Sequence, residues 1–166
     1  PAVTLVEAAC GDREGEIRLR INSANPTVST ASDAFVHAAD GAEGWRGQIW
    51  NEERIVPMTT LDALIERFGP PRFVKIDVEG FEAKALAGLS RPLPALSFEF
   101  TTIQRDIAFA CLGRLETLAA HRYNVALGES QTLMLDGFAP VDVISRIIRD
   151  LPHSANSGDI YAITRP

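Results

Sequence analysis

The sequence has few cysteines, fewer basic than acidic residues and no long apolar run. It has two cysteines, Cys10 and Cys111, in no metal-ligand spacing, which argues against a zinc module and a disulfide-stabilised secreted domain. Basic residues number 16 against 22 acidic ones, a net charge of −6, so neither nucleic acid nor an anionic membrane surface is an expected partner. No apolar run approaches the roughly 20 residues of a membrane span. We therefore expect a protein of the reducing cytoplasm.

Nucleotide and metal motifs are also missing. The one segment with several glycines, residues 41–47, follows no predicted strand and opens no apolar helix, so we interpret it as a flexible surface loop. Without a G-x-G-x-x-G segment a dehydrogenase is disfavoured, and without G-x-S-x-G so is a hydrolase. The three histidines, His37, His121 and His153, lie in no ligand or triad motif. We predict no metal site.

The hydrophobic pattern alternates between strands and helices. Predicted strands cover residues 3–9, 16–21, 72–78, 93–100, 123–127, 132–135 and 159–164, and predicted helices cover 61–68, 79–88, 103–118 and a segment from 140 to 151. This order predicts an α/β fold with a mostly parallel sheet and helices on both faces. Residues 22–55 have no sustained period and predict a long loop. The length favours a single domain over 1–166.

The most informative stretch is residues 72–82, where the pattern changes from strand to helix. Lys75 and Asp77 are two residues apart and therefore share one face of the strand. A charged lysine inside a sheet is costly unless it is paired. We therefore predict that Lys75 lies within salt-bridge distance of Asp77, Glu79 or Glu99.

Residues 74–82, V-K-I-D-V-E-G-F-E, and the following Leu86-Ala87-Gly88-Leu89 resemble the signature of FkbM-type methyltransferases. Further resemblance covers residues 3–12, 15–19, 56–64, 96–100 and 158–162. It implies a Rossmann-like class I methyltransferase fold that uses S-adenosylmethionine as its cofactor. It also implies an O-methyltransferase whose acceptor is a hydroxyl of a sugar, glycan or secondary metabolite.

One part of the class I pattern is missing. Such enzymes bind the cofactor through a glycine-rich loop after the first strand, and an acidic residue after the second strand holds the ribose. Here the predicted strand 3–9 is followed by Cys10-Gly11-Asp12 and another strand. We therefore expect a partial domain that lacks the first strands and is inactive by itself. A start at Pro1 agrees with truncation, although removal of an initiator methionine before proline would look the same.

Three carboxylates are the candidate catalytic groups. Neighbouring parallel strands would bring Asp77, Glu79 and Glu99 to one sheet edge, where ligands bind in open α/β sheets. Asp77 is the first choice for the base that takes the hydroxyl proton, and Glu79 is the second. Glu99 is expected to bind the acceptor or to pair with Lys75. The alternatives are structural: an acid at a helix N-terminus for Glu79, a salt bridge for Lys75, or a hard cation held by all three carboxylates.

The resemblance implies cofactor contacts at Glu7, Ala8, Ala9 and Asp77, because the adenine of related enzymes packs near the end of the corresponding strand. The two alanines have a simpler explanation, which is close packing of helix and sheet. In the long loop, Trp45 and Trp50 either stack on an acceptor ring or fill a small core.

Two classes of function remain open. The first is the S-adenosylmethionine-dependent O-methyltransferase. The alternative is a non-catalytic, partial methyltransferase-like module that binds a protein partner or a glycan, and the missing glycine loop favours it for this chain. The acceptor, its regiochemistry and the oligomeric state are not encoded in any motif.

Overall fold

Two mixed β-sheets organise the part of the chain that the computed structural model describes, residues 3–130 and 132–165. The strands are β1 Ala9–Cys10, β2 Gly15–Ile21, β3 Glu52–Thr59, β4 Val74–Ile76, β5 Ala95–Thr101, β6 His121–Leu127 and β7 Ser157–Thr164. The helices are α1 Asp33–Ala39, α2 Leu61–Phe68, α3 Glu82–Ala87, α4 Arg105–Leu118 and α5 Val141–Asp150. The predicted α/β class is therefore confirmed.

The prediction of a mostly parallel sheet is wrong for these residues. In the four-stranded sheet, of order β4-β5-β7-β6, β4 and β5 are parallel, but β7 runs antiparallel to both of its neighbours. In the three-stranded sheet, of order β1-β3-β2, β1 is parallel and β2 antiparallel to β3. The alternating pattern of β7 predicts a strand, but it carries no information about strand direction.

The main core lies on one face of the four-stranded sheet. Ile76, Phe98 and Ile160 point from three neighbouring strands into a cluster that also contains the apolar stripes of α2, α3, α4 and α5. Each fully buried large side chain stabilises the fold by roughly 1.5–3 kcal/mol. The opposite face carries Lys75 and Tyr161 and borders an open groove. The predicted helical cover on both faces is therefore not found in the described chain.

Helix α2 has the predicted bounds because its ends are specified locally. The Thr60 hydroxyl accepts a hydrogen bond from the amide of Ala63 at 3.1 Å, which caps the first turn. At the other end, Gly69 has φ 87°, a left-handed conformation that glycine adopts without a steric penalty. Leu61 and Ile65 face the core.

The predicted buried strand at residues 3–9 is mostly wrong. Only Ala9–Cys10 forms a strand, and it pairs with Met58 and Thr59 of β3. Val3 and Leu5 are 92% and 80% exposed. Within residues 3–130 and 132–165 no strand pairs with residues 3–8, so the apolar pattern has no surface on which it can be buried.

The segment predicted as a long loop contains α1, two short 3-10 turns and its own small core. Phe35, Ala39 and Trp45 are buried in it, and the Phe35 and Trp45 rings meet edge to face at 4.8 Å. The indole nitrogen of Trp50 donates to the Val28 carbonyl at 2.8 Å. Both tryptophans therefore pack in this small core, as the second of the two alternatives predicts.

The other differences from prediction are smaller. The central strand β4 is shorter than residues 72–78 and only half-buried, because it is an edge strand of its sheet. The predicted strand at 132–135 is reduced to a single bridge between Leu133 and Ala126. The side-chain amide of Asn124 fixes the same segment by donating to the carbonyls of Leu135 and Gly137.

A close contact between Gly88, at the end of α3, and Gly11, just after β1, gives a stability prediction. A Cβ at Gly88 would overlap the carbonyl oxygen of Gly11, which is backbone and cannot move away easily. We expect Gly88→Ala to lower the free energy of unfolding by about 1–3 kcal/mol. Urea denaturation would measure the change.

Gly113→Ala is the matched control, because Gly113 lies exposed on α4 and an added Cβ meets nothing within 4 Å. It should raise the free energy of unfolding by up to about 1 kcal/mol, since alanine has the higher helix propensity. Equal effects of the two substitutions would show that the contact at Gly88 does not constrain the fold.

Candidate active site

A left-handed turn separates β4 from α3. Glu79 has φ 51° and Gly80 has φ 82°, so α3 begins at Glu82 rather than at Glu79 as predicted. For a residue with a side chain, this conformation costs roughly 1–2 kcal/mol. Glu79 is therefore not an ordinary acid of a helical first turn, and its conformation must be held by neighbours.

Glu82 supplies the main restraint. Its side chain is buried, and one carboxylate oxygen accepts hydrogen bonds from the amides of Val78 at 3.1 Å and Gly80 at 3.2 Å. The Thr30 hydroxyl donates to the Glu79 carbonyl at 2.6 Å. The Phe35 side chain leaves no room for a Cβ at Gly80. Residues from the predicted loop thus lock the turn.

Sequence reasoning assigned no role to Glu82, Thr30 or Phe35. The available signal was the spacing E-G-F-E, in which an acid follows the glycine by two residues and can reach back to the amides of the turn. Thr30 and Phe35 carry no comparable signal, because 49 and 45 residues of chain separate them from their contacts at Glu79 and Gly80.

The three predicted carboxylates converge as the parallel pairing of β4 and β5 requires. One oxygen each of Asp77, Glu79 and Glu99 lies within 4.8 Å of the others. Ile76 of β4 is the register partner of Phe98 of β5. Asp77 and Glu99, the next residues of the two segments, therefore lie side by side. The structure brings these residues together, and their catalytic roles stay predictions.

Burial and mutual repulsion raise the pKa of two of these groups. Burial, reinforced by the charges of Asp77 and Glu82, raises the pKa of Glu79 to about 7. Burial, with the charges of Glu79 and Asp77, raises the pKa of Glu99 to about 9. One oxygen of each is buried without a hydrogen-bond partner in the described residues. At neutral pH, Glu99 therefore holds its proton, and Glu79 binds a proton more readily than a free glutamate does.

Lys75 lies at the edge of this cluster. Its ammonium is 3.4 Å from Asp77, which confirms the predicted pairing, and makes a shorter contact with Asp159 that the sequence did not indicate. Although burial lowers the pKa of Lys75, the hydrogen bond to Asp159 and the charge of Asp77 raise it overall. The register of β5 and β7 places Asp159 opposite Glu99, and that pairing could not be read from local periodicity.

Asp77 borders three open spaces. A cavity of about 660 Å³ is lined by all four predicted cofactor residues, Glu7, Ala8, Ala9 and Asp77. A groove of about 510 Å³ crosses the polar face of the four-stranded sheet and also touches Glu99. A third cavity, of about 560 Å³, lies beside α2. Ala8 and Ala9 are half-buried and border this cavity, and their role in binding a cofactor stays a prediction.

The same three carboxylates offer oxygen ligands of the kind that hard divalent cations prefer. Calcium takes about six to eight such ligands, so water or a bound substrate would have to supply the rest. The absence of a resident metal stays a prediction.

The comparisons with known proteins agree with this arrangement. A family model described as the methyltransferase FkbM domain matches residues 1–151. The chain belongs to the FkbM methyltransferase family. Searches of curated proteins and of solved structures found no match. In the described part of the chain, no helix combines the length and the apolar character needed to cross a bilayer.

The raised pKa of Glu99 predicts how stability depends on pH in this FkbM-family protein. Its pKa is 4.5 without the fold and about 9 in the fold, so the native state keeps a proton that the unfolded chain releases. Stability is therefore highest below pH 4.5 as far as this group is concerned, and it falls as the pH rises toward 9.

Glu99→Gln keeps the size of the side chain and removes this ionisation. We expect the variant to be more stable than wild type by roughly 1–3 kcal/mol at pH 8 and similar to it at pH 4.5. Thermal denaturation across this pH range would check the prediction. A constant difference between the two proteins would mean that Glu99 ionises normally. If adding Mg²⁺ or Ca²⁺ removed the difference in stability between the two proteins, the cluster of Asp77, Glu79 and Glu99 would bind a cation.

Proposed function

We propose that the chain forms the acceptor side of an S-adenosylmethionine-dependent O-methyltransferase that acts on a hydroxyl of a sugar or secondary metabolite. One observation carries the proposal: Asp77 lies between the cavity bordered by Glu7, Ala8 and Ala9 and the groove bordered by Glu99. In a member of a methyltransferase family, one space can hold the methyl donor and the other the acceptor. A carboxylate between them is well placed to take the proton of the acceptor hydroxyl.

The cavity suits the cofactor in size and chemistry. Its volume of about 660 Å³ lies within the usual range for small-molecule sites. Glu7 would accept hydrogen bonds from ribose hydroxyls, and the small side chains of Ala8 and Ala9 leave room for a planar base. Asp77 would lie near the positively charged sulfur. When bound, S-adenosylmethionine supplies a methyl group on a sulfonium centre.

The chain's own residues would manage the hydroxyl proton. Asp77 borders both spaces and would take the proton, while Lys75 fixes the carboxylate at 3.4 Å. Glu79, with a pKa of about 7, can receive that proton next, because a group titrating near the working pH both accepts and releases protons. Glu99 keeps its proton at neutral pH and would donate a hydrogen bond to the acceptor.

A specific observation keeps the second function open. No glycine-rich loop is among the described residues that line the cavity, so the chain by itself has no backbone cradle for the amino-acid end of the cofactor. A non-catalytic module that binds a partner or a glycan is therefore the alternative.

Cofactor affinity separates the two functions. We expect the purified chain to bind S-adenosylmethionine weakly or not at all in isothermal titration, because no glycine-rich loop is among the described residues that line the cavity. A protein that joins this chain to a glycine-rich strand–loop–helix should bind it if the enzymatic proposal holds. Low-micromolar binding by the chain alone would contradict the proposal of a partial domain and would mean that the cofactor site lies elsewhere.

Asp77→Asn tests the base in such a joined protein. We expect turnover to fall on the order of 100-fold or more, the usual scale for loss of a general base. The thermal midpoint should change little, because Lys75 keeps Asp159 as a partner. Asp150→Asn, at the exposed end of α5, is the matched control and should leave turnover unchanged.

The three quantities to measure together are turnover, cofactor affinity and thermal midpoint. Normal turnover with a lowered midpoint would assign Asp77 a purely structural role in the pairing of Lys75. The base would then be Glu79.

A further inference from the structure

The side chains that border the groove on the polar face of the four-stranded sheet lie in rows across the strands. The register aligns Lys75 with Ser97 and Tyr161 across three strands, and it aligns Glu99 with Asp159 one step further along. All five side chains border the groove. The row with Glu99 and Asp159 is therefore acidic, and the neighbouring row contains the ring of Tyr161 and the buried hydroxyl of Ser97. Asp77 also borders the groove.

Apolar side chains border the groove on two opposite sides, because Phe73 precedes β4 and Leu133 bridges to Ala126 of β6. Phe73 is 48% exposed and Leu133 is 40% exposed, and both line the groove. Together with Tyr161 on β7 they provide apolar surface on which the C–H face of a ring can pack, and an aromatic face also attracts a cation. Such a surface combined with a few polar groups is the usual composition of a small-molecule site.

The charge of the groove is negative. Among the described residues, the charged groups that border it are the acids Asp77, Glu99, Glu129 and Asp159 and the base Lys75. With Glu99 protonated at neutral pH, three negative charges and one positive charge leave −2. The ammonium of Lys75 is already bound to Asp77 and Asp159, so it is not free to bind a phosphate or a carboxylate.

We infer that this groove is the acceptor site and that it takes a hydroxylated ring without negative charge, with a preference for a ring that carries an ammonium group. An anionic acceptor would meet like charges and, among the described residues that line the groove, no free cation. Contacts between like charges weaken the binding of wrong partners. The inference rests on the proposed function, because it assigns the acceptor of the same transfer. It adds a selection rule that the family membership does not contain.

Three probes of the same ring size test the rule: glucosamine, glucose and glucose 6-phosphate. Each is titrated into the isotope-labelled chain up to roughly 50 mM, enough to nearly saturate a site of millimolar affinity, while amide NMR signals are followed. We expect signals of the groove, such as those of Glu129 and Tyr161, to shift. Glucosamine should bind about two- to fivefold more tightly than glucose, the scale of an exposed charge pair, and glucose 6-phosphate should bind least.

Glu129→Gln is the diagnostic variant, because Glu129 is exposed and its loss should not disturb the fold. It should reduce the preference for glucosamine over glucose by about twofold and leave glucose binding unchanged. Glu66→Gln, on the exposed face of α2, is the matched control and should change neither. Tyr161→Ala should weaken all three probes, provided that the amide spectrum shows an intact fold.

Equal or tighter binding of glucose 6-phosphate in the groove would overturn the inference, as would shifts confined to other surfaces or no shifts at all. Its failure can be distinguished from failure of the proposed function. Suppose that the probes bind in the predicted order but a protein with a complete cofactor site transfers no methyl group. The proposed methyltransferase function is then wrong, while the groove is still a binding site for such rings. If that protein methylates phosphorylated acceptors best, the proposed methyltransferase function is supported and the proposed preference for acceptors without negative charge is wrong.

Discussion

The hydrogen bonds from the amides of Val78 and Gly80 to the buried carboxylate of Glu82 are the constraint on which the rest of the site depends. They hold Glu79 and Gly80 in the left-handed conformation that ends β4 and delays α3. The hydrogen bonds that Glu82 accepts thus offset the backbone cost of the conformation that places Glu79.

The same arrangement concentrates negative charge where little water can screen it. Burial is the largest cause of the raised pKa of both Glu79 and Glu99, and each is raised further by its acidic neighbours. Lys75 offsets part of this charge, but it is shared between Asp77 and Asp159 and remains 40% exposed. Such an arrangement is destabilising for a fold, and clusters of this kind are typical of functional sites.

The sequence predicted those parts of the fold whose signals are local. Helix α2 was predicted to its ends because Thr60 and Gly69 specify its cap and its termination. Strand β5 and the proximity of the three carboxylates followed from apolar patterning and parallel pairing. The direction of β7 and the partner role of Asp159 depend on register between distant strands, which local periodicity does not contain.

A different limit applies to residues 3–9 and 22–55. The first has the apolar pattern of a buried strand but, among the described residues, little to be buried against, so Val3 and Leu5 are exposed. The second has no period, yet it packs Phe35 and Trp45 into a separate core. Patterning reports what a segment is able to bury, while the surface that covers it is set by the rest of the chain. In this protein the aperiodic segment also supports the site, since its Thr30 and Phe35 contact the turn that Glu82 holds and that places Glu79 beside Asp77 and Glu99.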